Sequence, residues 1–315
     1  MSSFDDRIDP EILATFPPGM DLMFNAIGPD SMVPLRQAME AQSLEMKKMM
    51  PEFPGREEKM MVPGLNGADD VPVYFYRRDD VVHSDAVMIW LHGGGYVFGQ
   101  ADDMAGQRYA PLMTVISVDY RMAPEHRSPA AAEDVCAVLD WVISEAENLG
   151  IDPAKIVLGG SSAGAGLAAG AALMNRDRGG PELLYQLLIY PMLDDTHDTP
   201  SGHMDLPDVV WNRRVSMVAW SMYAEEEGAS QYAAAARATD LSGLPPTYVM
   251  VGDLDLFRDE DIAFAQRLSD TGIAIDLAVF PGAPHGFDMF TPGAAVSLRA
   301  MEHQMAALSR ILETN

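Results

Sequence analysis

Lys155-Ile-Val-Leu-Gly-Gly-Ser-Ser-Ala-Gly-Ala-Gly-Leu167 runs from an apolar stretch, through a tight turn of small residues, into a helical pattern. Within it, Gly160-Ser161-Ser162-Ala163-Gly164 fits G-x-S-x-G. Only Ser162 can be the central serine, because framing on Ser161 puts Ala163 where the last glycine belongs. A serine on such a strand-to-helix turn sits in strained backbone, and small neighbours let chain segments approach closely. Its hydroxyl then projects above the C-terminal edge of a sheet, at a helix start whose dipole favours negative charge. Ser162 is therefore a nucleophile candidate. The same stretch contains Gly164-Ala-Gly-Leu-Ala-Ala169, which matches a dinucleotide-binding G-x-G-x-x-A. That pattern should open directly after the strand, whereas here it lies inside the predicted helix. Close helix–sheet packing is the better use of these small residues. No G-x-x-x-x-G-K-[ST] occurs, which excludes a P-loop.

Outward from this turn, short apolar runs alternate with helical patterns. Strands are predicted over Val71–Tyr76, Ala86–Leu91, Thr114–Asp119, Lys155–Gly159, Tyr185–Tyr190, Thr247–Val251 and Ile275–Phe280. Several are continuous Val/Ile/Leu runs, as strands buried on both faces require. Helices are predicted over Ala131–Leu149, Ala163–Asn175, Asp259–Thr271 and Ala294–Leu312, with Gly272 as a C-terminal stop. This rhythm means an α/β fold with a mostly parallel sheet and helices on both faces. Two segments break it. Residues 1–50 read as helices without strands, with Ser31 capping a helix through about Met50. Residues 193–240 begin with an acidic loop, Asp194 to Asp208, followed by a helix from Arg213 to about Glu226. An insertion between sheet strands is where a lid over a site would sit.

His92-Gly93-Gly94-Gly95-Tyr96 follows the strand ending at Leu91. Three glycines expose backbone N–H groups without side-chain obstruction, which suits an oxyanion hole. Paired with a G-x-S-x-G about 70 residues later, the motif matches the combination used by lipases and esterases. His92 precedes the serine and is read as shaping the loop. The α/β-hydrolase order is serine, acid, histidine. His303 lies on the last helix, as a surface residue, and His197 and His203 lie in the acidic loop. His285, in a loop just after a strand, fits a catalytic base. Asp253 and Asp255 both fit the acid, while Asp259 and Glu260 read as helix first-turn residues. A calcium loop starting at Asp253 fails, because Phe257 and Arg258 stand where a ligand and a glycine belong. Asp194, Asp195, His197, Asp198, His203 and Asp205 lack a recognised metal-ligand spacing and read as a solvated loop.

The 315 residues carry a net charge of −26 and are 48% hydrophobic. That composition supplies a large core and excludes a mainly disordered chain. The charge argues against nucleic acid and anionic membrane surfaces as partners. The single cysteine, Cys136, forms no intrachain disulfide, which suits a reducing cytoplasm. The start, MSSFDDRIDP, does not read as a signal peptide, and no run is long enough for a membrane span.

Together the motifs resemble the bacterial hormone-sensitive-lipase-like esterases of the α/β-hydrolase superfamily. The resemblance rests on His92-Gly-Gly-Gly-Tyr96, Asp119-Tyr-Arg-Met-Ala-Pro-Glu-His126, Gly160-Ser-Ser-Ala-Gly164, Asp255-Leu-Phe-Arg-Asp259 and His285-Gly-Phe287, over roughly residues 70–315. It implies Ser162 as nucleophile, His285 as base, Asp255 as acid, and the N–H groups of Gly94, Gly95 and Ala163 as oxyanion donors. It also implies a carboxylic ester hydrolase without cofactor or metal, acting on small-molecule esters of short to medium acyl chains. Many such proteins dimerise through the C-terminal edge of the sheet, so a homodimer is one implied assembly. The implied organisation is an N-terminal helical cap segment over 1–50 and a catalytic domain over 51–315, with a second cap segment at roughly 193–240. Ser161 stands where the family usually has Asp or Thr, and Leu256-Phe257 replace the usual Pro-Leu. Two rivals use the same residues: an amide or peptide hydrolase, and a ligand-binding protein on a hydrolase scaffold. Ten of the 23 methionines fall in residues 1–61. Some of these, with methionines of the second segment, are expected to line an acyl or alcohol pocket beside Trp211 or Tyr96. Deleting residues 1–30 should then raise KM or shift chain-length preference more than it affects the triad itself.

Overall fold

The computed structural model describes residues 4–48, 52–102, 104–208 and 210–314. All seven expected strands form, and an eighth precedes them. In chain order the strands are β1 Gly55–Val62, β2 Val71–Arg78, β3 His83–Leu91, β4 Met113–Val118, β5 Ile156–Ser161, β6 Tyr185–Ile189, β7 Thr247–Gly252 and β8 Ile275–Phe280. They join one sheet in the order β1-β2-β4-β3-β5-β6-β7-β8. β2 is antiparallel to both β1 and β4, and the remaining pairings are parallel.

β3 explains the continuous apolar runs. Val87, Ile89 and Leu91 enter one core cluster, while Met88 and Trp90 enter the other. Alternate side chains point to opposite faces, so a strand covered on both sides needs apolar residues throughout. β1 was not expected. Its Gly-Arg-Glu-Glu-Lys start is exposed, with neither an apolar run nor an alternating pattern. It is an edge strand, where charge discourages pairing with other chains. The stems still pack: Arg56 lies over the Phe75 ring at 4.9 Å and Lys59 over Tyr74 at 5.0 Å.

The helices are α1 Phe4–Arg7, α2 Pro10–Thr15, α3 Met20–Asn25, α4 Met32–Lys47, α5 Met104–Gln107, α6 Ala130–Ser144, α7 Ala146–Leu149, α8 Ala163–Asp177, α9 Arg213–Tyr223, α10 Arg258–Asp270, α11 Phe287–Phe290 and α12 Ala295–Thr314. Ser31 precedes α4 as expected, but its hydroxyl donates to the carbonyls of Ala26 and Gly28. Met49 and Met50, at the expected end of that helix, lie outside the described residues. Gly272 adopts φ +85° just beyond α10, as a stop requires.

The N-terminal helices reach both cores. Phe24 belongs to one cluster, Ile8 and Ile12 to the other. The Asp9 N–H donates to the Gly282 carbonyl at 2.9 Å, and the Ala295 N–H donates to Glu11 at 2.7 Å. Residues 7–12 are thus welded to the loop that carries His285. A deletion of residues 1–30 would therefore also remove contacts made to that loop.

The small residues of α8 serve close packing. A Cβ on Gly164 would lie 2.1 Å from the Leu91 carbonyl oxygen and 2.4 Å from that of His92. These backbone atoms cannot yield without moving β3 and the loop after it. Gly164→Ala should therefore destabilise the fold by about 1–3 kcal/mol, the usual cost of overpacking. Urea unfolding checks this, and an unchanged midpoint would contradict so tight a contact.

Candidate active site

The loops that carry the expected residues all leave the C-terminal ends of parallel strands. The glycine loop follows β3 and Ser162 follows β5. β3 and β5 are neighbours in the sheet, while the chain between them visits β4 on the far side. This is a topological switch point, where open α/β sheets form their crevice.

Ser162 sits between β5 and α8 at φ 56°, ψ −122°, a conformation that L-residues rarely adopt. Its N–H donates to the Ile189 carbonyl at 2.8 Å, and its own carbonyl accepts from Gly166 and Met192. Its Oγ lies 2.8 Å from His285 Nε2. His285 Nδ1 lies 2.8 Å from Asp255 Oδ2. In the neutral tautomer that fits both bonds, Ser162 donates to Nε2 and Nδ1–H donates to the carboxylate. Asp255 is fully buried, and its other oxygen accepts from the Phe257 N–H at 2.9 Å. Asp253, the other acid candidate, turns away. It accepts from the Gly282 N–H at 2.6 Å and pairs with Arg7 at 3.4 Å.

The glycine loop lies beside this line. Gly94 and Gly95 adopt φ 121° and 60°. A Cβ on Gly94 would lie 2.0 Å from the Phe98 carbonyl oxygen, so no side chain fits there. Among the described residues none accepts a hydrogen bond from the Gly94 or Gly95 N–H. His92 underpins the loop, as its position suggested. It stacks on Tyr120 at 4.3 Å, and its Nδ1 donates to the Gly93 carbonyl at 2.8 Å. Tyr120 in turn donates to the His92 carbonyl at 2.8 Å. The Asp119–His126 stretch thus supports the loop from below.

A family model described as alpha/beta hydrolase fold matches residues 88–289. The chain belongs to that family, in its hormone-sensitive-lipase-like branch. It is similar to Carboxylesterase NlhH of Mycobacterium tuberculosis, at 34% identity over 274 residues, 84% of this chain and 85% of that protein. Ethyl acetate hydrolase of Pseudomonas putida is 30% identical over 231 residues, covering 69% of this chain and 71% of that one. Among solved structures, a bacterial heroin esterase aligns with a TM-score of 0.88 at 35% identity, covering 98% of this chain and 99% of that one. The chain is a carboxylic ester hydrolase.

The two aromatic pocket candidates of this hydrolase are placed differently. Trp211 is buried with its ring 6.3 Å from that of His285, and it packs edge-on against Phe24 at 5.7 Å and near Phe98 at 6.4 Å. Its indole closes over Gly95, where a Cβ would lie 2.5 Å from the ring. Tyr96 is completely buried behind the loop, stacked on Tyr223 at 3.8 Å and donating to the Met192 carbonyl at 2.9 Å. It supports the loop from behind. Of the methionines, Met20, Met32 and Met222 are core residues and Met217 is exposed. Met1, Met49 and Met50 lie outside the described residues.

Two readings of the insertion and its anchor are corrected. The acidic loop is not solvated throughout, because His197 is fully buried at φ 50°. Glu260 is more than a first-turn helix acid. Its buried carboxylate accepts from the N–H groups of Leu193 and Asp194 at 2.9 and 3.0 Å, and Asp259 accepts from Ser201 N–H at 2.7 Å. Burial pushes the Glu260 carboxyl well above the usual range. α10 thus begins just after Asp255 and pins the acidic loop at once. The sequence offered no signal for this, since a run of acids at a helix start is ordinary.

Burial pushes His92 and His197 each down to about 4. An unfolded histidine titrates near 6.5, so acid favours the unfolded chain. The stability these neutral rings contribute is complete above about pH 6.5 and is lost as pH falls toward 4. Glu260, with its raised folded pKa, acts in the opposite sense. His197→Phe should therefore lose less Tm than the unsubstituted protein between pH 6.5 and about 4.5. Parallel Tm–pH curves would exclude a buried neutral His197.

Proposed function

We propose that this hydrolase cleaves small carboxylic esters of short to medium acyl chain through an acyl-enzyme on Ser162. The observation that carries the reading is the unbroken line of two 2.8 Å hydrogen bonds from Asp255 through His285 to Ser162. His285 Nε2 takes the Ser162 proton as Oγ attacks the ester carbonyl. Asp255 holds the ring in the required tautomer and stabilises the imidazolium. The N–H groups of Gly94, Gly95 and Ala163 receive the oxyanion. The imidazolium then protonates the departing alkoxide, which leaves as alcohol. Water, deprotonated by the same histidine, attacks the acyl-enzyme and releases the acid. The apolar wall of Trp211, Phe24 and Phe98 supports a limit on acyl length. The lone Cys136, which is buried, supports a cytoplasmic setting. Exposed Leu277 and Val279 on edge strand β8 support a homodimer built there.

Ser162→Ala should lower kcat by roughly 10⁴–10⁶ with an unchanged unfolding midpoint. Asp255→Asn should cost about 10⁴ in kcat, and Asp253→Asn far less. The reverse ranking would reassign the acid. Because a protonated His285 accepts nothing, kcat/KM should fall on acidification, and a flat profile would exclude the histidine base.

A panel of p-nitrophenyl esters of increasing acyl length tests the wall. Trp211→Ala should raise kcat/KM for long acyl chains relative to short ones by about tenfold, the worth of a methylene or two in an apolar pocket. An unchanged preference would remove Trp211 from the acyl site.

A further inference from the structure

Ser162 and His285 come from loops that follow β5 and β8, with β6 and β7 between them in the sheet. Their 2.8 Å contact therefore needs something that ties the two loops together. Tyr190 occupies that place. It follows the last residue of β6, Ile189, whose carbonyl accepts from the Ser162 N–H. Its backbone is held at φ 39°, an uncommon conformation for a bulky residue, and its N–H donates to the Met250 carbonyl at 2.6 Å. The phenol ring packs against the His285 ring, with centroids 4.8 Å apart and planes at 66°. The phenol hydroxyl donates to Asp288 Oδ1 at 2.8 Å, and Asp288 lies three residues beyond His285.

Asp288 is itself anchored. It is buried, and its second oxygen accepts from Arg108 Nη1 at 2.9 Å. A buried carboxylate without that cation would be costly, so the ion pair fixes where Asp288, and with it the end of the His285 loop, can sit. Phe257 closes the other side of the imidazole, edge-on at 5.0 Å.

We propose that Tyr190 is a positioning residue for His285, locked by the Asp288–Arg108 ion pair, and that this bridge sets the spacing between nucleophile and base. The proposal rests on the triad reading above. The ring of His285 meets Asp255 and Phe257 from the β7–α10 loop, Ser162 from the turn after β5, Trp211 from the lid segment, and Tyr190. Behind Tyr190 stand Asp288, Arg108 and Tyr109.

The test compares Tyr190→Phe and Asp288→Asn in the full-length protein on a p-nitrophenyl ester, with Ser162→Ala as control. Tyr190→Phe keeps the ring and removes only the anchor. Its kcat should fall about tenfold with KM within about twofold, short of the hundredfold that a misplacement of about 1 Å can cost. Asp288→Asn should lower kcat at least as far. It also removes a negative charge three residues beyond His285, so the acid limb of kcat/KM should move to lower pH. A purely structural role would lower Tm and leave kcat and the acid limb of the folded fraction unchanged, and that result overturns the proposal. Should Asp288→Asn fail to fold, Tyr190→Phe decides on the kcat and KM split alone. Activity retained in Ser162→Ala would instead remove the triad, and the bridge with it.

Discussion

A serine held at φ 56° between a strand and a helix is the constraint around which the rest of this molecule is arranged. Such a conformation costs about 1–3 kcal/mol and persists only where its surroundings over-determine it. Here they do so by backbone contact. The Ser162 N–H is held by β6, its carbonyl receives two N–H groups, and Gly164 lies against the carbonyls of Leu91 and His92. One contact therefore sets both the exposure of the Ser162 hydroxyl and the height of the glycine loop beside it. A sheet built mostly of parallel strands makes this possible, because every loop of the site leaves the same edge.

Much of this was legible in the residues. Continuous apolar runs at β3 to β7 reported strands covered on both faces, and the glycines around Ser162 reported a turn that admits no side chains. The choice between Asp253 and Asp255 was not legible from spacing, since both follow β7. It depends on which carboxylate faces inward, and the Phe257 N–H and Arg7 divide them. β1 escaped notice because an edge strand guarded by charge has no apolar signature. Tyr190 escaped because its importance comes from where β6 places it, between two loops distant in sequence. Residues whose role is chemistry leave motifs, whereas residues whose role is spacing leave only a tyrosine at the end of a strand.

The two segments outside the sheet rhythm act in different ways. The acidic loop is gripped by α10 through Asp259 and Glu260, a few residues beyond Asp255. The N-terminal helices press Phe24 on Trp211 at one end and Asp9 on Gly282 at the other. One stretch of chain thus packs against both Trp211 and the loop that carries His285. A change in that stretch would reach the surroundings of Trp211 and of the His285 loop together.

The bond from Asp9 to Gly282, and that from Ala295 to Glu11, join residues that are synthesised far apart in time. Ile8 and Ile12 share a core cluster with Phe287, Val296 and Leu308, which lie beyond β8. Long-range contacts of this kind form late and slow the search for the native state. During synthesis the growing chain holds an unfinished site until β8 and the loop after it are available. A nascent chain stalled before β8 would carry Ser162 without its histidine, and would be inert toward the esters around it.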